Sequence, residues 1–228
     1  MLLAGRQTGG RGRRGREWAS PLAAHLYLSL SRYFSGGLAR LGGLSLVAGI
    51  AAAEALRDLG CAEAGLKWPN DLVVAGPQGL RKLGGLLVEG GGEHAGPVRA
   101  VIGLGINVRM PAADAPPIDQ PWCDLAGLSA PHAPPARNAV ATAVLARLLP
   151  ALDEFDAAGL APFRARYAAL DALTGRRVDI HGATATLSGE AIGLADDGAL
   201  RVRLDNGEDR HFHSGEVSVR RAKNEGSA

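Results

Sequence analysis

Apolar positions recur at three- and four-residue steps in two long stretches of this 228-residue chain, and at two-residue steps in several short ones. Leu41, Leu44, Ala48, Ala51, Ala55 and Leu59 fall on one helical face, and Gly60 can end that helix. Val140, Val144, Leu145, Leu148, Leu152 and Phe155 mark a second helix, in which Pro150 predicts a kink or a break. Leu160, Phe163, Tyr167 and Leu170 continue a helical stripe. Residues 1–4 read as the tail of a strand, and Leu26, Leu28 and Leu30 alternate as a strand over 25–30. Residues 66–68 and 72–75 predict two strands around a Pro69-Asn70-Asp71 corner. Two more are expected over 83–89 and 98–108, with Gly90-Gly91-Gly92 as the turn between them; the second is apolar enough to lie centrally in a sheet. Residues 111–135, rich in Pro, Ala and Asp, read as one long loop whose large aromatic is Trp122.

The period changes near Thr174. Leu200, Val202 and Leu204 alternate with Arg201 and Arg203, and Asp197-Gly198 and Asn206-Gly207 are hairpin turns. The pattern predicts an α+β chain with a boundary near residue 173. Residues 1–173 form a helix-backed sheet domain, and 174–228 a small all-β domain of about five strands.

A formal net charge of +2 makes any basic patch local and argues against a general polyanion binder. Two cysteines without metal or redox spacing fit a reducing cytosol, hence a cytoplasmic protein. No run of 18 apolar residues is evident, and no signal peptide, so no membrane partner is expected. Arginine supplies 22 of the 25 basic side chains; the lysines are Lys67, Lys82 and Lys223. Such scarcity marks those lysines as positions where a compact, mobile ammonium is needed.

The chemistry concentrates in Gly9-Gly10-Arg11-Gly12-Arg13-Arg14-Gly15-Arg16, four glycines and four arginines followed by Glu17-Trp18. Glycine lets backbone N–H groups approach a ligand, and guanidinium forks match carboxylate and phosphate oxygens. The loop is neither a Walker A sequence nor a Rossmann turn. By itself it fits an anion site, a flexible basic loop or a nucleic-acid contact. His211 and His213 share a strand face but lack an evident third metal ligand.

Further motifs line up behind the loop: Lys67-Trp68-Pro69-Asn70-Asp71, then Arg81-Lys82-Leu83-Gly84-Gly85-Leu86-Leu87-Val88-Glu89, Gly103-Leu104-Gly105-Ile106-Asn107-Val108, and Gly215-Glu216-Val217-Ser218. In order and spacing, from residue 4 to about 222, the set closely resembles the biotin–protein ligases (biotin–[acetyl-CoA-carboxylase] ligase). The resemblance implies a mixed sheet with helices, of the class II synthetase or biotinyl/lipoyl ligase type, followed by an SH3-like β-barrel. It implies ATP and Mg²⁺ as cofactors and biotin as substrate, with biotinyl-AMP formed first and the biotinyl group then passed to a lysine of a biotin carboxyl carrier protein. A homodimer is compatible with it.

The resemblance also assigns residues. Arg11, Arg13, Lys82 and Asp71 match catalytic positions. Gln7, Arg11, Gly12, Arg13 and Lys82 match biotin-binding ones. Arg14, Asn70, Gly103, Gly105, Asn107, Trp122 and Arg220 match the nucleotide side. Mg²⁺ is expected near Asp71, and Glu216 between the β domain and the main domain. Family members carry an upstream strand and a Ser/Thr-Asn segment ahead of the basic loop, and some a helix-turn-helix. This chain begins after them, so the expectation is a reading frame that continues upstream, with no DNA partner. The alternatives are an inactive, truncated ligase, a lipoyl or octanoyl transferase of the same fold, and a non-catalytic anion or nucleic-acid binder.

Overall fold

The computed structural model describes residues 1–92, 97–111, 118, 120–182, 185–213 and 218–221. Six strands form the main sheet: β1 (Leu2–Ala4), β2 (Leu26–Phe34), β3 (Gly65–Lys67), β4 (Asp71–Gly76), β5 (Gly79–Gly92) and β6 (Val98–Ile106). Their order is β1-β2-β6-β5-β4-β3, and every ladder is antiparallel. Isolated parallel bridges add Asp171 beside Leu66 and Trp122 beside Lys82, so the sheet is mixed at its margins.

β6 is central, as its apolar run predicts, but its two faces differ. Val98, Ala100, Ile102, Leu104 and Ile106 are buried. The alternate positions include Val101, Gly103 and Gly105, which line an open cleft. Gly90-Gly91-Gly92 is not the expected turn. It is the end of β5, paired with Ala100, Arg99 and Val98. Strand pairing is a backbone interaction, and a Cβ at Gly90 would lie 2.5 Å from Leu41 Cδ1.

Helices α1 (Leu44–Asp58), α2 (Leu125–Ser129), α3 (Arg137–Ala158) and α4 (Arg164–Ala168) complete the domain, with short 3₁₀ turns at Leu38–Leu41 and Ala161–Phe163. α1 packs on β3, β4 and β5 and against α3. The 21 residues Leu38–Asp58 are long and apolar enough to cross a membrane by length and composition, contrary to expectation. Packing accounts for that apolarity: Leu44, Val47, Ile50, Ala51, Ala52, Ala55 and Leu56 are all core residues. α3 runs unbroken through Pro150. Pro150 is exposed, and the carbonyl it leaves without a donor belongs to Ala146, also exposed, where water can serve it. The loop expected over 111–135 contains α2, because Asp124 caps it by accepting from Gly127 N–H at 2.8 Å and also holds Met110 N–H at 2.6 Å.

The C-terminal strands are β7 (Arg177–His181), β8 (Thr186–Leu194), β9 (Leu200–Leu204), β10 (Asp209–Phe212) and β11 (Ser218–Arg221). They form a small SH3-like antiparallel sheet, ordered β10-β9-β8-β7-β11. Gly198 and Gly207, at φ 85° each, supply the left-handed turn residues the sequence predicts. The Gly198 hairpin is keyed into the first domain. Its carbonyl accepts from buried Trp68 Nε1–H at 3.0 Å, and a Cβ there would meet Leu160 and Leu46 at 2.9 and 3.0 Å.

His25, at the edge of this core, is fully buried. Its Nδ1 accepts the N–H of Val108 at 3.2 Å, and Nε2 has no partner among the described residues. Burial pushes its pKa down, against smaller upward pulls from the Ala24 backbone and Asp124. The unfolded chain therefore takes up this proton near pH 6.5, before the folded one does. The resulting stability is fully present above that pH and is lost as pH falls through the lowered folded value. The urea midpoint is expected to drop between pH 7 and pH 5. His25→Leu should flatten that slope and cost about 1–3 kcal/mol at pH 7, since it orphans the Val108 N–H. A slope unchanged in the variant would place the titration elsewhere.

Candidate active site

The basic loop folds as a small hairpin over the open face of the sheet. Arg11 bridges Glu17, Gly12 N–H donates to Arg16 O at 2.7 Å, and Trp18 N–H donates to Gly10 O at 2.9 Å. Its tip turns through Arg14 and Gly15, both left-handed at φ 58° and 71°. Glycine tolerates that region; Arg14 occupies it at a cost of roughly 1 kcal/mol. A Cβ at Gly10 would stand 2.7 Å from Trp18 O and 2.8 Å from Ser20 Oγ, so only glycine fits the closed hairpin.

Between hairpin and sheet lies a cleft of about 610 Å³. Its floor is the glycine-bearing face of β5 and β6. Trp18 lies on that floor: a Cβ at Gly105 would sit 2.6 Å from its Cζ2, and one at Gly85 3.4 Å from its Cζ3. Lys82 Nζ stands 5.4 Å from the same ring centre. The indole N–H is buried without a partner among the described residues.

Charge is concentrated at one end. Asp71, nearly buried at the start of β4, meets Lys82 Nζ at 2.7 Å with Oδ1 and Lys67 Nζ at 3.6 Å with Oδ2. Burial pushes the Lys67 pKa down, opposed by Asp71. Arg13 Nη1 reaches Asn70 Oδ1 at 3.4 Å; burial, then the neighbouring Arg14, lower the Arg13 pKa. Asn70 also donates to Leu86 O at 2.7 Å, which pins the corner to β5. Residues 121–123 strap onto the backbone of Lys82 through Lys82 N–H to Pro121 O and Cys123 N–H to Lys82 O, both 2.9 Å. Asn107 braces that strap, donating to Cys123 O at 3.0 Å and Lys82 O at 3.4 Å.

A cationic hairpin above a glycine floor, with Lys82 at the edge of the cleft, suits an anionic ligand that carries a flat group. Family models agree with that chemistry. Residues 1–107 match the biotin/lipoate A/B protein ligase family, and residues 174–220 the biotin protein ligase C terminal domain. The biotin–[acetyl-CoA-carboxylase] ligase of Paracoccus denitrificans is 34% identical over 217 residues, covering 89% of this chain and 83% of that protein. The chain belongs to the biotin protein ligase family.

The bifunctional ligase/repressor BirA of Escherichia coli (strain K12) is 39% identical over 223 residues, 97% of this chain. The chain spans 66% of that relative's length. Among solved structures, the biotin protein ligase from Aquifex aeolicus in complex with biotin and ATP superposes with a TM-score of 0.79 at 28% identity, covering 97% of this chain and 88% of that one.

The biotin protein ligase motifs meet in this cleft. Gln7, Arg11, Gly12, Arg13, Asn70, Lys82, Gly103, Gly105, Asn107 and Trp122 all line it. Arg14 is at the exposed hairpin tip and is not part of the lining, and Asp71 stands behind Lys82. Arg220 lies in β11, its backbone paired with Asp179; its side chain, and the whole of Glu216, fall outside the described residues. The space above Gly105 is filled by the Trp18 ring, whereas Gly103 faces open cleft. His213 stands 4.0 Å from Asp197, and among the described residues no three His, Cys, Asp or Glu side chains form a metal-binding group. The resemblance assigned no site role to Trp18 or Lys67. The signals were present: a tryptophan closing the basic hairpin, and a second rare lysine four residues before Asp71.

Proposed function

We propose that this chain is an ATP-dependent ligase that activates biotin as biotinyl-5′-AMP and transfers the biotinyl group to a lysine of a biotin carboxyl carrier domain. The observation that carries the reading is the convergence of Arg13, Lys82, Asn70 and the 11–16 hairpin on one cleft of about 610 Å³, a volume suited to a small-molecule site. In the first step a biotin carboxylate oxygen attacks the α-phosphorus of ATP. The bond to the bridging oxygen breaks, and pyrophosphate leaves with the electron pair. Two anions must approach, so cations and N–H donors are needed more than a general acid or base.

Arg11 and Arg13 surround the carboxylate and α-phosphate, Gly12 shapes the hairpin between them with its N–H held by Arg16 O, Gln7 serves the biotin ring, and Lys82 neutralises the oxyanion as charge builds. Asn70, Gly103, Gly105, Asn107 and Trp122 form the nucleotide side, with Trp18 as the surface on which a flat ring can stack. Arg14, at the hairpin tip, and Arg220, in β11, remain the further candidates on the nucleotide side. In the second step the carrier amine attacks the carbonyl carbon, AMP leaves, and the amine loses a proton to solvent; Asp71, behind Lys82, is the carboxylate to which the resemblance gives the orienting role. Both Asp71 oxygens already face ammonium groups, so Asp71 does not fit the Mg²⁺ site expected there, and no step is assigned to it as a metal ligand.

A lipoyl or octanoyl transferase shares the broad family, but the match of residues 174–220 to the biotin protein ligase C terminal domain favours biotin. The test supplies the chain with ATP, Mg²⁺ and either biotin and a biotin carrier domain or lipoate and a lipoyl domain. ATP-dependent biotin transfer, read by streptavidin blot with pyrophosphate release, is expected. Lipoate transfer instead, or no transfer, would overturn the reading.

A further inference from the structure

Asp71 divides its two oxygens between two lysines, and the division is unequal. Lys82 is close at 2.7 Å and extends into the cleft, whereas Lys67, at 3.6 Å, lines no part of it. The two ammonium groups arrive from opposite neighbours of β4, Lys67 from β3 and Lys82 from β5. Lys67 is constrained and desolvated, and Arg16 adds a further, weaker repulsion. Among the described residues the Lys82 ammonium has Asp71 and the Trp18 ring as its close partners. For Lys82 to meet a phosphate or carboxylate it must loosen its hold on Asp71. A nearly buried carboxylate left without a cation is costly, and that cost would oppose every binding event.

We propose that Lys67 is a positioning residue: the standing counterion of Asp71 that frees Lys82 to move onto the anionic substrate. On this view the carboxylate shifts its bond from one ammonium to the other as the anion arrives. The local charge balance is kept while Lys82 crosses into the cleft. Lys67 acts only through Asp71 and touches no substrate. The inference rests on the ligase reading for the identity of the anion, but not for the exchange itself.

The test measures ATP binding by titration calorimetry and, separately, pyrophosphate release in a single turnover with biotin. Lys67→Met keeps an unbranched stem and removes the charge. It is expected to weaken ATP binding roughly tenfold, the scale of one close charge pair, and to slow adenylate formation by a similar factor. Adding Asp71→Asn to Lys67→Met removes the carboxylate that detains Lys82, and ATP binding is expected to recover to within about threefold of the parent. Simple loss of a nearby positive charge would not be rescued in this way. Unchanged binding in Lys67→Met, or a double variant that binds no better than the single one, would overturn the proposal. Circular dichroism accompanies each variant, and Lys67→Gln, similar in reach, replaces Lys67→Met should the latter not fold. A parent chain that binds ATP with this pattern but releases no pyrophosphate would leave the Lys67 exchange standing and reject the ligase reading.

Discussion

Lys82→Ala is expected to reduce biotinyl-AMP formation by about 10²–10³-fold, the loss found when one preorganised donor to a developing oxyanion is removed. The geometry allows no substitute. Lys82 Nζ lies between Asp71 Oδ1 at 2.7 Å and the Trp18 ring at 5.4 Å. Its Cε and Nζ stand only 3.3 and 3.4 Å from where a Gly85 Cβ would be. Arg13, the other inner cation, is tied to Asn70. Lys82→Arg is expected to rescue poorly, since a broad planar guanidinium would replace a compact ammonium packed close to Gly85. Stability should fall only slightly, because Lys67 still pairs Asp71. Single-turnover pyrophosphate release, with melting curves alongside, checks the claim; a rate within tenfold of the parent would remove Lys82 from the reaction.

Trp68→Ala carries the largest expected cost in stability, about 3–5 kcal/mol. Trp68 is 1% exposed and is the largest side chain in the core. Its indole N–H is the donor to Gly198 O, so truncation leaves a cavity in one domain and an unpaired carbonyl in the other. At this chain length the melting temperature should fall by roughly 10 °C. Activity should fall as well, because Trp68 immediately precedes Pro69-Asn70-Asp71. Trp68→Phe keeps most of the buried area and loses the bond, and should cost about 1 kcal/mol. Urea unfolding of the three proteins distinguishes the contributions. A Trp68→Ala penalty below about 1 kcal/mol would mean that the Gly198 hairpin does not depend on it.

Much of the architecture was legible because it is local. The alternation from Leu200 to Leu204 encodes one face of one strand, and burial followed it; the stripe from Leu44 to Leu59 gave the helix, but α1 is buried nearly all round, with Leu46, Val47, Ile50 and Leu56 off the stripe also in the core. The Asp-Gly and Asn-Gly pairs announced their turns because few other residues tolerate a φ of 85°. The misreadings have the opposite character. Gly90-Gly91-Gly92 looked like a turn because glycine permits one, yet pairing with β6 carried it onward as strand. Pro150 looked like a break, yet packing against α1 and β2 keeps α3 whole. In each case a long-range partner overrode a local preference.

The same division runs through the site. The basic loop pointed to an anion site through its arginines, and the resemblance in motif order named Asn70, Lys82, Asn107 and Trp122, all of which line the cleft. Strand register alone decided that Lys67 and Lys82 converge on Asp71, and that Trp18 lies flat over Gly105. Those neighbours come from different strands and from a hairpin folded across the sheet. Along the chain only composition and period are encoded, so pairwise geometry of this kind emerges when the sheet closes its ladders.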